Sequence, residues 1–170
     1  MGASLVKKLL REGHEVRVLD NESRGRRNRL AEVEGQFEMT TGDIREPFLV
    51  EQAAKGCDSV VHMAFINGTE FFYSKPELVL EVGVKGMVNV LDACKVNSIK
   101  DLILISSSEV YQEPPTIPTP ENVPLIIPDV HNPRYSYGGG KIISELLALN
   151  YGRKDFERVL IIRPHNVFGP

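Results

Sequence analysis

The chain has little of what usually marks a specialised environment. Its 170 residues include no tryptophan and only two cysteines, Cys57 and Cys94. That pair gives no metal-binding spacing and no disulfide framework. Cys94 falls in a helical pattern and reads as a small core residue. No apolar run reaches membrane-spanning length, and the N-terminus has no apolar signal-peptide segment. An excess of one charge is also missing. With 20 Lys+Arg against 23 Asp+Glu the net charge is −3, which offers no strong pull on nucleic acid. The local exception is the cluster Arg24, Arg26, Arg27 and Arg29. There are no internal repeats and no linker to a second domain. With 42% apolar and 25% charged residues, the composition suits a soluble, cytoplasmic α/β protein with one real core.

Within that frame, apolar strand-like runs alternate with helical patterns. Leu5, Leu9 and Leu10 mark a first helix, stopped by Gly13 in the position after a helix C-cap. Strands are expected over 15–20, 36–41, 59–65, 101–108 and 158–164. Asp43 with Glu46, and Ser74 with Glu77, have the spacing of capping boxes. The first would open a short helix ending near Gly56. The second would open a long helix through Val79, Val82, Val90 and Cys94. Buried β-branched runs separated by helices predict a parallel sheet covered on both faces. No strand precedes the first helix. Between Tyr111 and Tyr135 lie seven of the eleven prolines, and a long loop in a compact domain usually carries function, often as a lid.

The most informative pair is Tyr137 and Lys141. Ile142, Leu146 and Leu149 give the segment after Gly140 helical spacing. At i and i+4 on a helix the two side chains share a face. An ammonium held beside a phenol favours the phenolate, so such a tyrosine becomes a base near neutral pH. A predicted strand ending in Ser106, Ser107 and Ser108 lies upstream. The run Gly138, Gly139, Gly140 costs a helix about 1 kcal/mol per residue against alanine, and it suggests close approach by a cofactor or a sugar.

Six ordered features together resemble a known family. They are Val16-Arg-Val-Leu-Asp20-Asn21, Gly42-Asp43-Ile44, Val60-Val-His62-Met63-Ala64, Ser106-Ser-Ser-Glu109-Val-Tyr111, Tyr137-x-x-x-Lys141 and Arg163-Pro164-x-Asn166-Val-Phe-Gly-Pro170. The chain resembles the extended short-chain dehydrogenases/reductases, the NAD-dependent sugar-nucleotide epimerases and dehydratases. The resemblance implies a doubly wound parallel, Rossmann-like sheet. It implies NAD as cofactor and transient oxidation of a sugar nucleotide at C4. It gives Ser107 the hydroxyl clamp, Tyr137 the base and Lys141 the nicotinamide ribose. Glu109 takes either the base position of a C5 deprotonation or a substrate-orienting role. Gly2, Asp20, Asn21, Asp43, Ile44, Met63, Ala64 and Pro164 fall at cofactor positions, and Ser108 and Asn166 at substrate positions. A carboxylate at Asp20 can accept both ribose hydroxyls and repels a 2′-phosphate, favouring NAD over NADP; the following arginines cut the other way.

The sequence also departs from the family. The fingerprint Gly-x-x-Gly-x-x-Gly is absent, with only Gly2 at its third glycine, and Gly83 stands where an asparagine is usual. The reading therefore expects an incomplete dinucleotide-binding domain over 1–170. It would be truncated at both ends, lack the first, central strand and the C-terminal substrate domain, and be inactive as an isolated piece. No metal is expected. The expected partners are a sugar nucleotide and, in the longer parent, a second copy of the chain, with no nucleic acid and no membrane. Two alternatives stay open: a non-catalytic dinucleotide-binding or regulatory protein of the same fold, and a UDP-glucuronate decarboxylase-like enzyme.

Overall fold

The computed structural model describes residues 1–168. Gly169 and Pro170, the end of the Arg163 motif, lie outside the described residues. Helix α1 spans Gly2–Arg11. Gly13 ends it at φ +85°, its N–H bonding Leu10 O and that of His14 bonding Leu9 O. This is the paired bonding of a Schellman stop, which needs a residue free of Cβ strain. Strand β1 (Arg17–Asp20) pairs in parallel with β2 (Glu38–Thr41), from Arg17↔Glu38 to Asp20↔Thr41. A 3-10 segment, Arg27–Val33, makes the crossover.

Helix α2 (Pro47–Ala54) leads to β3 (Ser59–His62). Then come α3 (Thr69–Ser74), α4 (Pro76–Leu80), a π-helical turn over Glu81–Lys85 and α5 (Gly86–Val96). Strand β4 (Asp101–Ile105) follows, then the proline-rich loop, α6 (Ser136–Asp155) and β5 (Arg158–Ile162). β3, β4 and β5 form a second parallel sheet in that order. Among the described residues, the two sheets are not hydrogen-bonded to each other. The parallel α/β class expected from the sequence is present, with strands shorter than the apolar runs suggested.

Two expected helix starts are displaced. Asp43 does not cap α2, which begins at Pro47 after Glu46. Its Oδ1 instead accepts the Arg45 N–H at 2.9 Å, a turn that closes locally and competes with a helix start. Ser74 ends α3 rather than opening the long helix; its Oγ donates to Glu70 O at 2.8 Å. Pro76 at the first position of α4 makes the new start, where a missing N–H costs nothing. The long helix is then interrupted by the π turn.

Helix α5 is the hub of the core. Val90, Ala93 and Cys94 pack with Ile44, Val50 and Val82. Met87 and Leu91 pack with Leu102, Leu104 and Ala148. Helix α6 presents an unexpected face. The apolar positions Leu146 and Leu149 are 61% and 49% exposed, while Lys141, Ser144 and Glu145 are buried. The polar side chains go inward because each finds a partner there. Ser144 Oγ donates to Gly140 O at 2.8 Å, and Lys141 and Glu145 reach strand ends. No helix among the described residues is long and apolar enough to cross a membrane.

Candidate active site

β4 and α6 converge where β4 runs out into Ser106 and Ser107, both buried. Ser107 is extended and its Oγ accepts the Glu109 N–H at 3.2 Å. It thus caps the 3-10 turn Ser108–Val110 while its hydroxyl faces Tyr137 on the first turn of α6. Tyr137 is 6% exposed. Phe72 stacks on it with ring centroids 5.3 Å apart, and Phe65 meets it edge-on at 5.1 Å. One turn on, Lys141 is 3% exposed. Its Nζ donates to Ile105 O at 2.6 Å and lies 4.3 Å from the centre of the Phe65 ring. Ser107, Tyr137 and Lys141 therefore share one buried neighbourhood.

The electrostatics of that neighbourhood differ from the expectation. Burial raises the Tyr137 pKa above that of a free phenol, the Ser107 hydroxyl draws it down, and the Glu109 charge raises it again. The Lys141 ammonium is held on the Ile105 carbonyl, 5.9 Å from the Tyr137 ring centre. Burial lowers Lys141 itself to about 8, opposed by the Glu145 carboxylate. His62 ends β3 close by, driven to about 3 by burial and then by the Lys141 charge. It is neutral at physiological pH, and its Nε2 is buried without a hydrogen-bond partner.

Glu109 is not free. Arg134 Nη2 donates to both of its carboxylate oxygens, at 2.9 and 3.0 Å. The Arg134 guanidinium in turn lies 5.2 Å from the Phe72 ring centre. Ser108 and Asn166 meet at His165. Ser108 Oγ is 3.3 Å from His165 Nδ1, which also accepts the Asn166 N–H at 3.0 Å. Pro164 contributes its carbonyl to the Ser108 N–H at 3.0 Å.

The other expected cofactor positions sit at the ends of β1 and β2. The exposed Asp20 carboxylate accepts the Glu22 N–H at 2.6 Å. Asn21 Nδ2 donates to Asp43 Oδ2 at 3.2 Å. Arg45 holds Asp43 with two further bonds, at 3.0 and 2.9 Å, and lowers its pKa to about 2. Asn21 and Asp43 line a cleft of about 210 Å³ with Arg24, Arg45, Ile66 and Phe71. Ile44 is beside it in sequence but turns its side chain into the core. Ala64 also packs on that core, Met63 is half-buried, and Gly2 is exposed at the start of α1. A larger cleft, about 320 Å³, lies between α4, the proline-rich loop and the outer side of α6. It includes none of Ser107, Tyr137 and Lys141.

The glycine run of α6 is filled by protein. A Cβ on Gly138 would meet Gln112, one on Gly139 Ile127, and one on Gly140 Phe65. The close approach expected from a cofactor or sugar is made by the loop and by Phe65. Sequence reading also missed a buried network. Glu145 accepts Ser106 Oγ at 2.5 Å and takes two bonds from Arg163, which also reaches the Tyr111 hydroxyl at 2.9 Å. The available signal was Glu145, one helical turn after Lys141, with Arg163 at the end of an apolar strand.

Comparison with known proteins gives a consistent picture. The model of the NAD dependent epimerase/dehydratase family matches residues 1–170. A UDP-glucose 4-epimerase of Mycolicibacterium smegmatis is 32% identical over all of this chain and 54% of its own length. UDP-glucuronic acid decarboxylase 1 of Xenopus tropicalis is 30% identical over all of this chain and 39% of its own. Among solved structures, the Bordetella bronchiseptica enzyme WbmG in complex with NAD superposes with a TM-score of 0.82 at 26% identity. That match covers 99% of this chain and 51% of WbmG. The chain thus spans about half or less of the length of these relatives.

A dinucleotide can be tested against the residues present. At the β1–β2 end, the exposed Asp20 carboxylate lies next in sequence to Asn21, which with Asp43 lines the smaller cleft. At the α6 end, the tyrosine, the lysine and an unpartnered buried histidine nitrogen are in place, but Phe65 lies over the lysine. The residues fit the adenosine portion as they stand.

Proposed function

Because the chain belongs to the NAD dependent epimerase/dehydratase family, we propose that it carries the cofactor and proton-transfer site of an enzyme converting UDP-sugars. NAD, when bound, would supply a reversible hydride acceptor for the sugar C4 carbon. Tyr137 takes the proton of the C4 hydroxyl, and Ser107 holds that oxygen in line. Lys141 supplies positive charge beside Tyr137, since an ammonium within ~4–6 Å favours the phenolate. Asp20, Asn21 and Asp43 hold the adenosine end, and Gly2, Ile44, Met63, Ala64 and Pro164 shape the cofactor path. Ser108 and Asn166 face the sugar. Glu109, neutralised by Arg134, orients substrate or removes a C5 proton when released.

The observation that carries the reading is the burial of Ser107, Tyr137 and Lys141 in one neighbourhood between β4 and α6. Tyr137→Phe in the longer parent is the test. It should lower kcat by ~10²–10⁴ and leave NAD binding intact; near-normal turnover overturns the assignment.

The relatives support two outcomes, epimerisation and decarboxylation. The Ser107-Ser108-Glu109 sequence and the similarity to UDP-glucuronic acid decarboxylases favour keeping the second. NMR of products from UDP-glucose, UDP-galactose and UDP-glucuronate separates them, and bound NAD with no product identifies a non-catalytic binder. A second copy of the chain would cover Leu146 and Leu149 on the outer face of α6.

A further inference from the structure

Three groups lie against Lys141 Nζ: the Ile105 carbonyl, the Tyr137 ring and the Phe65 ring, with His62 and Glu145 near enough to act on its charge. The first belongs to the β4 backbone. Tyr137 is clamped between Phe72 and Phe65. Phe65, by contrast, is a half-buried side chain on a loop, just beyond the end of β3.

The seat of that ring is built from two glycines on two helical segments. A Cβ on Gly83 would stand 2.2 Å from Phe65 Cζ, and one on Gly140 would stand 2.9 Å from the same atom. Glycine is a poor helix former, and here two of them leave room for the same ring. Gly83 also lies in the π turn Glu81–Lys85, and such turns often mark functional sites. The Lys141 ammonium over the ring adds a cation–π contact that steadies it.

We propose that Phe65 is a displaceable plug, seated between Gly83 and Gly140, which closes the Tyr137–Lys141 pair and must leave its slot before a dinucleotide ribose can reach Lys141. The displacement step rests on the function proposed above; the plug itself does not. Phe65 acts through Lys141 and is a positioning residue. A plug taxes ligand binding, because only the open fraction of molecules is competent. Removing it should expose the lysine and tighten binding, whereas removing an ordinary packing residue should do neither.

The test uses the chain with Phe65→Ala, Phe65→Leu and Gly83→Ala, the last expelling the ring by its methyl. Folding is checked by circular dichroism. Reductive methylation of Lys141, quantified by mass spectrometry of its peptide, should rise about tenfold in Phe65→Ala, matching loss of a desolvated cation–π cover. It should rise similarly in Gly83→Ala. NAD⁺ affinity, measured by calorimetry, should increase several-fold. Unchanged methylation in any folded Phe65 variant overturns the plug. Faster methylation with equal or weaker NAD⁺ binding overturns the displacement step. NAD⁺ affinity is read in the longer parent; if neither its wild type nor its variants bind NAD⁺, the proposed function fails, and methylation still decides whether Phe65 covers the lysine.

Discussion

Arg163 grips Glu145 with two parallel hydrogen bonds, Nε to Oε1 at 2.9 Å and Nη2 to Oε2 at 2.6 Å. The Glu145 side chain is 4% exposed and that of Arg163 20%. The pair ties β5 to α6, and through Ser106 to the end of β4. It therefore holds the strand end that places Ser107 against the helix that places Tyr137.

Removing one member of a buried pair leaves a desolvated charge without a partner. Arg163→Met alone should destabilise the fold by about 3–5 kcal/mol, while the double substitution Arg163→Met/Glu145→Leu should recover much of that. Urea unfolding of the three chains measures it. A single substitution costing under ~1 kcal/mol would show the pair to be a solvated surface contact.

Asp43 has a folded pKa of about 2 against an ordinary 3.8, chiefly through the Arg45 hydrogen bonds. A depressed carboxylate adds stability above its unfolded pKa and loses it as pH falls through the folded one. Wild type should therefore exceed Arg45→Leu in stability by ~1 kcal/mol at pH 6, allowing for the solvent-facing side of the pair. The gap should close between pH 4 and pH 2. A gap that persists at pH 2 in denaturant titrations would assign the effect to packing.

Lys141 carries the opposite balance. Its folded pKa of about 8 lies below the ordinary 10.5, so between those values the unfolded state binds more protons and stability rises with pH. Below pH 8 the burial cost is present in full. Lys141→Met should raise stability at pH 7 by ~1–3 kcal/mol, with the difference shrinking toward pH 10. Thermal unfolding from pH 7 to 10 tests this; a destabilised variant at pH 7 would mean that the Ile105 bond outweighs the burial.

Asp20 is expected to read the adenosine ribose. Asp20→Ala should weaken NAD⁺ binding by about tenfold or more, the worth of a hydrogen bond to a charged group, and narrow the preference over NADP⁺. Two of the nearby arginines already have partners: Arg24, which lines the cleft, bonds the Asn67 carbonyl and Arg27 pairs with Glu34. Titration with both dinucleotides checks it, and equal affinities in wild type would remove Asp20 as the discriminator.

The sequence by itself determined the element order, because strand-like β-branched runs and helical spacing are local properties. It also determined the parallel α/β class, the Gly13 stop of α1, and the candidate set Ser107, Tyr137 and Lys141 through residue type and order. Tertiary structure decided what local pattern does not encode. Leu146 and Leu149 of α6 face outward and its Lys141 and Glu145 inward, because those buried charges are governed by partners at the ends of β4 and β5, far away in the chain. Asp43 and Ser74 lost their capping roles to Arg45 and Pro76 for similar reasons, a nearer donor and a better start. The phenol of Tyr137 was expected to be acidified by its neighbour at i+4. Packing raised it instead, chiefly through burial, and the Lys141 ammonium is held on the carbonyl of Ile105.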